Sequence, residues 1–356
     1  DNVFFLDTYG DAVGAIAANA DNLSVRNSRF VSAYVTACDS RYDGLGARDC
    51  WPNAGPHGEQ FASAQADGFV IENNCVDGAL DDAIALHGGT DARIENNLIW
   101  TTGGRILIEG ALLEGASCTS EAACPTVVRN NYIEYIESGG TGIWVTVGDQ
   151  SVRPEGVSGV VIQGNEILIN TSARYGGAPV QVEQGITLFG AGQDVRVLDN
   201  RIEHRGSSGT SDCARTVPPP NCGRDFDAIM VSPRTTNSGL TFAAGNLIIA
   251  RNRVWDRALD SYSYGFREAA SESYSVVVAT EETSGDDLAA CSIEFRDNVF
   301  ETDVLARGHF GSGTTPSRIV SGNTCSTCSI GVQTTGLSVA GAGCGRIGDS
   351  GFRTTI

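Results

Sequence analysis

One short pattern of apolar and polar positions recurs along the chain: an apolar residue, two unspecified residues, asparagine, one unspecified residue, then a second apolar residue. It runs through Ile71, Asn74 and Val76, then Ile94, Asn97 and Ile99, then Val128, Asn131 and Ile133, then Ile162, Asn165 and Ile167. It returns at Val197, Asn200 and Ile202, at Ile249, Asn252 and Val254, at Phe295, Asn298 and Phe300, and at Val320, Asn323 and Cys325. An imperfect first copy carries Ser28 between Val25 and Phe30. The asparagines are 23, 34, 34, 35, 52, 46 and 25 residues apart. The shortest gap sets the bare repeat, and longer gaps are that repeat plus insertions. A coil of this length, with β-branched residues in fixed columns, is one rung of a β-solenoid built from three short strands. Asparagine at a fixed turn tolerates the left-handed conformation and bonds neighbouring backbone, so the asparagines are expected to stack as a ladder.

A second pattern follows each asparagine unit. Ala83 to Leu86, Arg105 to Ile108, Gly142 to Val145, Gly185 to Leu188 and Ala228 to Val231 alternate with period two, which buries one face of a strand and turns the other outward. Ile84, Ile106, Ile143, Ile186 and Ile229 are expected to stack inward. This defines a groove sheet whose outward residues would be Ala83, Ala85 and His87, then Arg105, Leu107 and Glu109, then Gly142, Trp144 and Thr146. The preceding coil offers His57, Glu59 and Gln60. Long insertions fall before this sheet (31–58, 170–182, 205–225) or after it (111–126, 148–158, 233–245, 268–290). Loops on both flanks are expected to wall an open cleft, where function concentrates.

The expected fold is therefore all-β: a single-stranded right-handed parallel β-helix of about nine to ten coils, forming one domain over 1–356 with long loops flanking one sheet. The Gly-rich segment 331–356 is a candidate cap. Strand-like sequence at Val3 to Leu6 implies an uncapped edge, consistent with self-association through a solenoid end or with a piece of a longer chain.

Composition narrows the partners. The formal net charge is −19, with 24 basic residues that are all arginine. Such a surface disfavours nucleic acid and anionic membrane, because phosphate binding needs a basic face. No apolar run approaches the ~20 residues needed to span a bilayer. Eleven cysteines include close pairs at Cys38 and Cys50, Cys118 and Cys124, Cys213 and Cys222, and Cys325 and Cys328. Pairs of this kind in loops read as local disulfides, hence a secreted or cell-surface protein. Cys75, Cys291 and Cys344 are left to pair with one another or stay buried, and the odd total leaves one thiol over.

Candidate chemistry collects on the groove sheet. Sugar cleavage by acid and base needs two carboxyl groups about 5 to 10 Å apart, one kept protonated by its surroundings. Asp81, Asp82, Glu59 and Glu109 supply carboxyls, His87 and Arg105 stand near them in sequence register, and Gln60 and Trp144 offer a polar contact and a ring for a sugar face. Asp81 through Leu86 resembles the paired-aspartate strand of the polygalacturonase-like glycoside hydrolases, and the whole repeat resembles the wider pectate-lyase-like β-helix superfamily. That resemblance implies Asp81 and Asp82 as acid and base candidates. The sequence departs from the hydrolase pattern elsewhere: Glu59 and Gln60 stand where Asn-Thr-Asp is expected, Gly103, Gly104 and Arg105 stand in place of Gly-His-Gly, and an Arg-Ile-Lys element cannot occur without lysine.

The leading expectation is a polysaccharide glycoside hydrolase that requires no cofactor. A uronate polysaccharide lyase or epimerase, using Arg105 and His87, is the second. It admits calcium on acidic loops such as Asp39, Asp43 and Asp49. A non-catalytic adhesin, phage tail or surface element is the third.

Overall fold

The structure, a computed structural model, describes residues 4–8, 13–15, 21–32, 61–64, 67–79, 82–89, 91–101, 106–109, 118–121, 123–135, 141–146, 159–171, 182–189, 194–206, 225–232, 234–235, 241–256, 262–268, 290–301, 305–308, 318–325, 330–332, 343–344 and 354–355. Among them the chain is all β. Its strands fall into three sheets, and the chain visits the three in turn, with two short strands, Arg234–Thr235 and Gly343–Cys344, off these paths. Successive strands on these paths pair in parallel. The chain thus winds repeatedly through three faces as a parallel β-helix, and ten strands on each path make ten coils.

The pre-turn sheet holds the strands that lead into each asparagine, such as Arg93–Glu95, Thr126–Arg129, Val160–Gln163, Val195–Leu198, Thr241–Ala250 and Ala290–Arg296. Strands leaving the asparagine form the post-turn sheet, including Leu98–Thr101, Tyr132–Tyr135, Glu166–Thr171, Arg201–Gly206 and Arg253–Asp256. The groove sheet runs through Phe61–Ala64, Ile84–His87, Ile106–Glu109, Thr141–Thr146, Val182–Phe189 and Asp225–Ser232. Gly-rich residues also contribute strands: Ile330–Val332 joins the groove sheet, Gly343–Cys344 pairs with Phe242 and Ala243, and Thr354–Thr355 pairs with Arg318 and Ile319.

Apolar columns fill the interior as the alternation requires. Ile84, Ile106, Ile143, Ile186 and Ile229 stack in register at 1 % exposure or less. Burying an isoleucine contributes roughly 2 kcal/mol each time, so the repeat itself stabilises the rod.

The turn is made differently from the expectation. Left-handed backbone belongs to the residue before each ladder asparagine: Asn73, Asn96, Asn130, Gly164, Asp199, Arg251 and Asp297 all have φ between 52° and 64°, as does Asn27 before Ser28. That residue reverses the chain direction, so the following asparagine can turn its side chain inward and lie buried. Asn97 Nδ2 donates to Asn131 Oδ1 at 3.0 Å and to the Ile71 carbonyl at 3.0 Å, while Asn97 N donates to the same Asn131 oxygen. The same set recurs at Asn131, Asn165, Asn200, Asn252 and Asn298. Ser28 continues the column with its backbone N donating to Asn74 Oδ1. A second left-handed column starts the pre-turn strands at Asn22, Gly68, Asp91, Gly159 and Asp194, which the repeat pattern does not reveal.

Candidate functional site

Groove-sheet positions that alternate with the inward isoleucines fall into three registered columns. A trailing column runs Ala64, His87, Glu109, Thr146, Phe189 and Ser232, and a middle column runs Ala62, Ala85, Leu107, Trp144, Thr187 and Met230. The leading column contains Thr141, Gln184 and Asp227. Asp82 joins it, standing two residues before Ile84 as Thr141 stands two before Ile143.

This corrects the outward assignment of Ala83 and Gly142. Ala83 and Ala228 lie in the interior apolar cluster, and a Cβ on Gly142 would come within 2.7 Å of Ile167 Cγ2. Two consecutive residues therefore face inward where each strand starts, at Ala83 and Ile84 and at Gly142 and Ile143. The alternation slips by one there, and the polar residue before the pair turns outward. A small residue is needed beside the post-turn sheet, which is why glycine and alanine fill this column.

Position along the strand separates the candidate residues. At ~3.3 Å per residue, Asp82 and His87 are about 16 Å apart along the strand. Glu109 pairs with His87 on the adjacent coil, about 4.8 Å away. Asp82 thus marks one edge of the sheet, and His87 with Glu109 marks the other. The register sets Glu109 against His87, at the opposite end of the strand from Asp82. Asp82 is 2 % exposed, and His87 is half-buried. Asp81, Arg105, Glu59 and Gln60 lie outside the described residues, as do Asp39, Asp43 and Asp49.

Trp144 sits between the edges, one coil beyond Glu109 in the middle column. Its ring meets Phe189 edge to face, with centroids 5.6 Å apart and planes at 79°. Beside it lies a polar cluster. Gln184 Oε1 accepts from Thr187 Oγ1 at 2.7 Å and from Thr141 Oγ1 at 3.2 Å, while Gln184 Nε2 reaches Met230 Sδ at 3.3 Å. Thr187, Met230 and Phe189 face outward yet are 5 % exposed or less. The floor is therefore covered at these two coils rather than open along its whole length.

Segment 111–126, expected as a groove wall, ends elsewhere. Its described residues lie on the outer face of the pre-turn sheet, where Cys124 packs against Val127, Val161, Leu198 and Ala250. Cys118 and Cys124 form the expected disulfide, and Cys75 is a free, half-buried thiol. Burial pushes that thiol above its ordinary value, Arg29 opposing and Asp77 adding.

Sequence reading missed the charged rows on the post-turn sheet. Tyr132 donates to Glu134 at 2.9 Å, and burial together with that bond pushes its hydroxyl up to about 12. Arg205 holds Glu203, and the Arg201 guanidinium lies 4.7 Å over the Trp255 ring. The available signal was polar residues two apart on a strand, which share a face. Among the described residues no group of three or more His, Cys, Asp or Glu side chains gathers to hold a metal ion. No family model, curated protein or solved structure matches this chain.

Proposed function

We propose that the protein is a secreted carbohydrate-active enzyme, a polysaccharide glycoside hydrolase working on the groove sheet with Asp82 as its acid. The observation that carries this reading is the buried Asp82 carboxyl at the leading edge, in one outward column with Thr141 and Gln184. An acid catalyst needs a carboxyl sheltered from water beside groups that can hold a sugar hydroxyl. Trp144, in the middle column one column away, supplies an aromatic ring, held edge to face by the buried Phe189. The chemistry calls for a second carboxyl to activate water, and Asp81 and Glu59 are the candidates that the sequence supplies. No metal is required for this chemistry.

A second reading rests on the register of Glu109 against His87. A histidine with a glutamate at the facing register position of the next coil suits a general base, as a uronate lyase or epimerase needs. The two edges separate by mutation. Asp82→Asn is expected to abolish release of reducing ends while leaving the thermal transition nearly unchanged. Full activity in that variant, with loss in His87→Ala, would transfer the chemistry to the trailing edge.

A further inference from the structure

Residues 118–121 and 123–124 belong to a loop on the outer face of the pre-turn sheet. The Cys118–Cys124 disulfide shuts it, and the Thr119 backbone N–H donates to the Ala123 carbonyl at 2.8 Å. Glu121 projects from the loop. Its Oε1 accepts from Arg251 Nη1 and from Arg296 Nη2, both at 2.7 Å, across 130 and 175 residues of sequence. The strand Ala290–Arg296 is four strands along the sheet from Thr126–Arg129, so the loop reaches across about 19 Å of solenoid. Arg251 is also gripped by Asp199 at 2.7 and 3.0 Å, and Arg196 Nη2 donates to the Cys118 carbonyl at 3.5 Å. Beneath the loop lies the outer apolar strip of Val127, Val161, Leu198, Ala250 and Ile248.

Arg251 is unusual in its column. It occupies the left-handed position with φ 58°, where the other coils place Asn, Asp or Gly. A large side chain there costs about 1 kcal/mol or more. The arginine is explained by what its guanidinium holds, namely Asp199 and the loop.

We propose that the Cys118–Cys124 loop is a redox-sensitive latch across coils four to eight, closed while the disulfide is intact and released when it is reduced. Glu121 is well exposed, and exposed ion pairs are individually weak. They hold the loop only because the disulfide pre-organises it. A dithiol reductant breaks the Sγ–Sγ bond, delivering two electrons and two protons to Cys118 and Cys124, and is itself oxidised to a disulfide. The freed loop regains conformational entropy, Glu121 leaves both arginines, and the apolar strip meets solvent.

The test follows cutting after Glu121 by a glutamate-specific protease in wild-type protein across a graded dithiol buffer. Labelling of Cys118 and Cys124 is read by mass spectrometry in the same samples. Cutting is expected to rise roughly ten-fold in step with labelling of those two thiols. Cys118→Ser/Cys124→Ser is expected to reproduce the fast rate without reductant. Arg251→Asn, which suits the left-handed turn, is expected to speed cutting in the disulfide-bonded protein and to add nothing in the serine variant. Unchanged cutting of protein labelled at both cysteines overturns the latch, as does a full multiplicative effect of Arg251→Asn in the serine variant. The wild-type titration decides the matter even if the serine variant fails to fold.

Discussion

Asn97 Nδ2 donates to Asn131 Oδ1 at 3.0 Å, and Asn131 passes the same bond to Asn165 at 2.9 Å. Asn131 is 1 % exposed and also donates to the Ile94 carbonyl. Replacing it with alanine strands the Asn97 donors and the Ile94 carbonyl in the interior. Each such buried group costs about 1–3 kcal/mol. Asn131→Ala is therefore expected to destabilise the fold by about 4 kcal/mol in total, read as a lower denaturant midpoint. A change in midpoint below that of an ordinary surface substitution would mean the ladder carries little stability.

Two glycines separate the two demands that this fold makes of small residues. A Cβ on Gly185 would come within 2.5 Å of the Ala228 carbonyl oxygen and 2.7 Å of Ile202 Cγ2, and a backbone oxygen cannot move aside. Gly164 is left-handed at φ 64°, in the column where Asn73, Asn96 and Asn130 stand. Gly185→Ala is expected to cost about 2–3 kcal/mol through overpacking. Gly164→Asn is expected to be nearly neutral. Thermal melts of the pair check this, and the reverse order of stability would refute the assignment of the inward column.

The latch also carries a pH signature. Its hydrogen bond from Arg251, outweighing the opposing effect of burial and aided by the charges of Arg251 and Arg296, holds the Glu121 carboxyl below its ordinary value of 4.5. Arg251 does the same for Asp199, ordinarily 3.8, with Gln163 assisting. A carboxyl whose folded value is depressed contributes stability above its unfolded value and loses it as pH falls through the folded one. Glu294 and Asp297 also face Arg296 and compete for it. The difference in melting temperature between wild type and Glu121→Gln is expected to be constant at neutral pH and to fade below 4.5. A gap that widens in acid would show that Glu121 is not paired as charged.

The solenoid was legible because its signal is periodic. Eight asparagines between two apolar columns report the same physical demand eight times, and the inward isoleucines follow from simple alternation. What escaped was the slip at each groove strand's start. Ala83 and Gly142 look like alternating positions, but the inward pairing with Ile84 and Ile143 depends on how the post-turn sheet crowds them. Asp82 stands before the strand, and the register sets Glu109 against His87 at its far end. The reach of Glu121 was likewise invisible, because its partners are 130 and 175 residues away and no repeat marks them. His87 and Glu109 were placed together by sequence because both close an alternating strand, and the register pairs them.

Trp144 offers a check on the groove that does not depend on the chemistry. Its ring is expected to form part of the sugar platform, so Trp144→Ala should raise KM several-fold with a smaller change in kcat. Loss of the edge-to-face contact with Phe189 should cost only about 1 kcal/mol of stability. A fall in kcat with KM unchanged would place the ring in transition-state stabilisation instead.

The most direct measurement incubates the protein with neutral, uronic and sulfated polysaccharides, with and without calcium, and reads reducing ends and ultraviolet absorbance together. The hydrolase account expects new reducing ends without absorbance, independent of calcium, and none from Asp82→Asn. Absorbance from an unsaturated product, retained in Asp82→Asn, would contradict it.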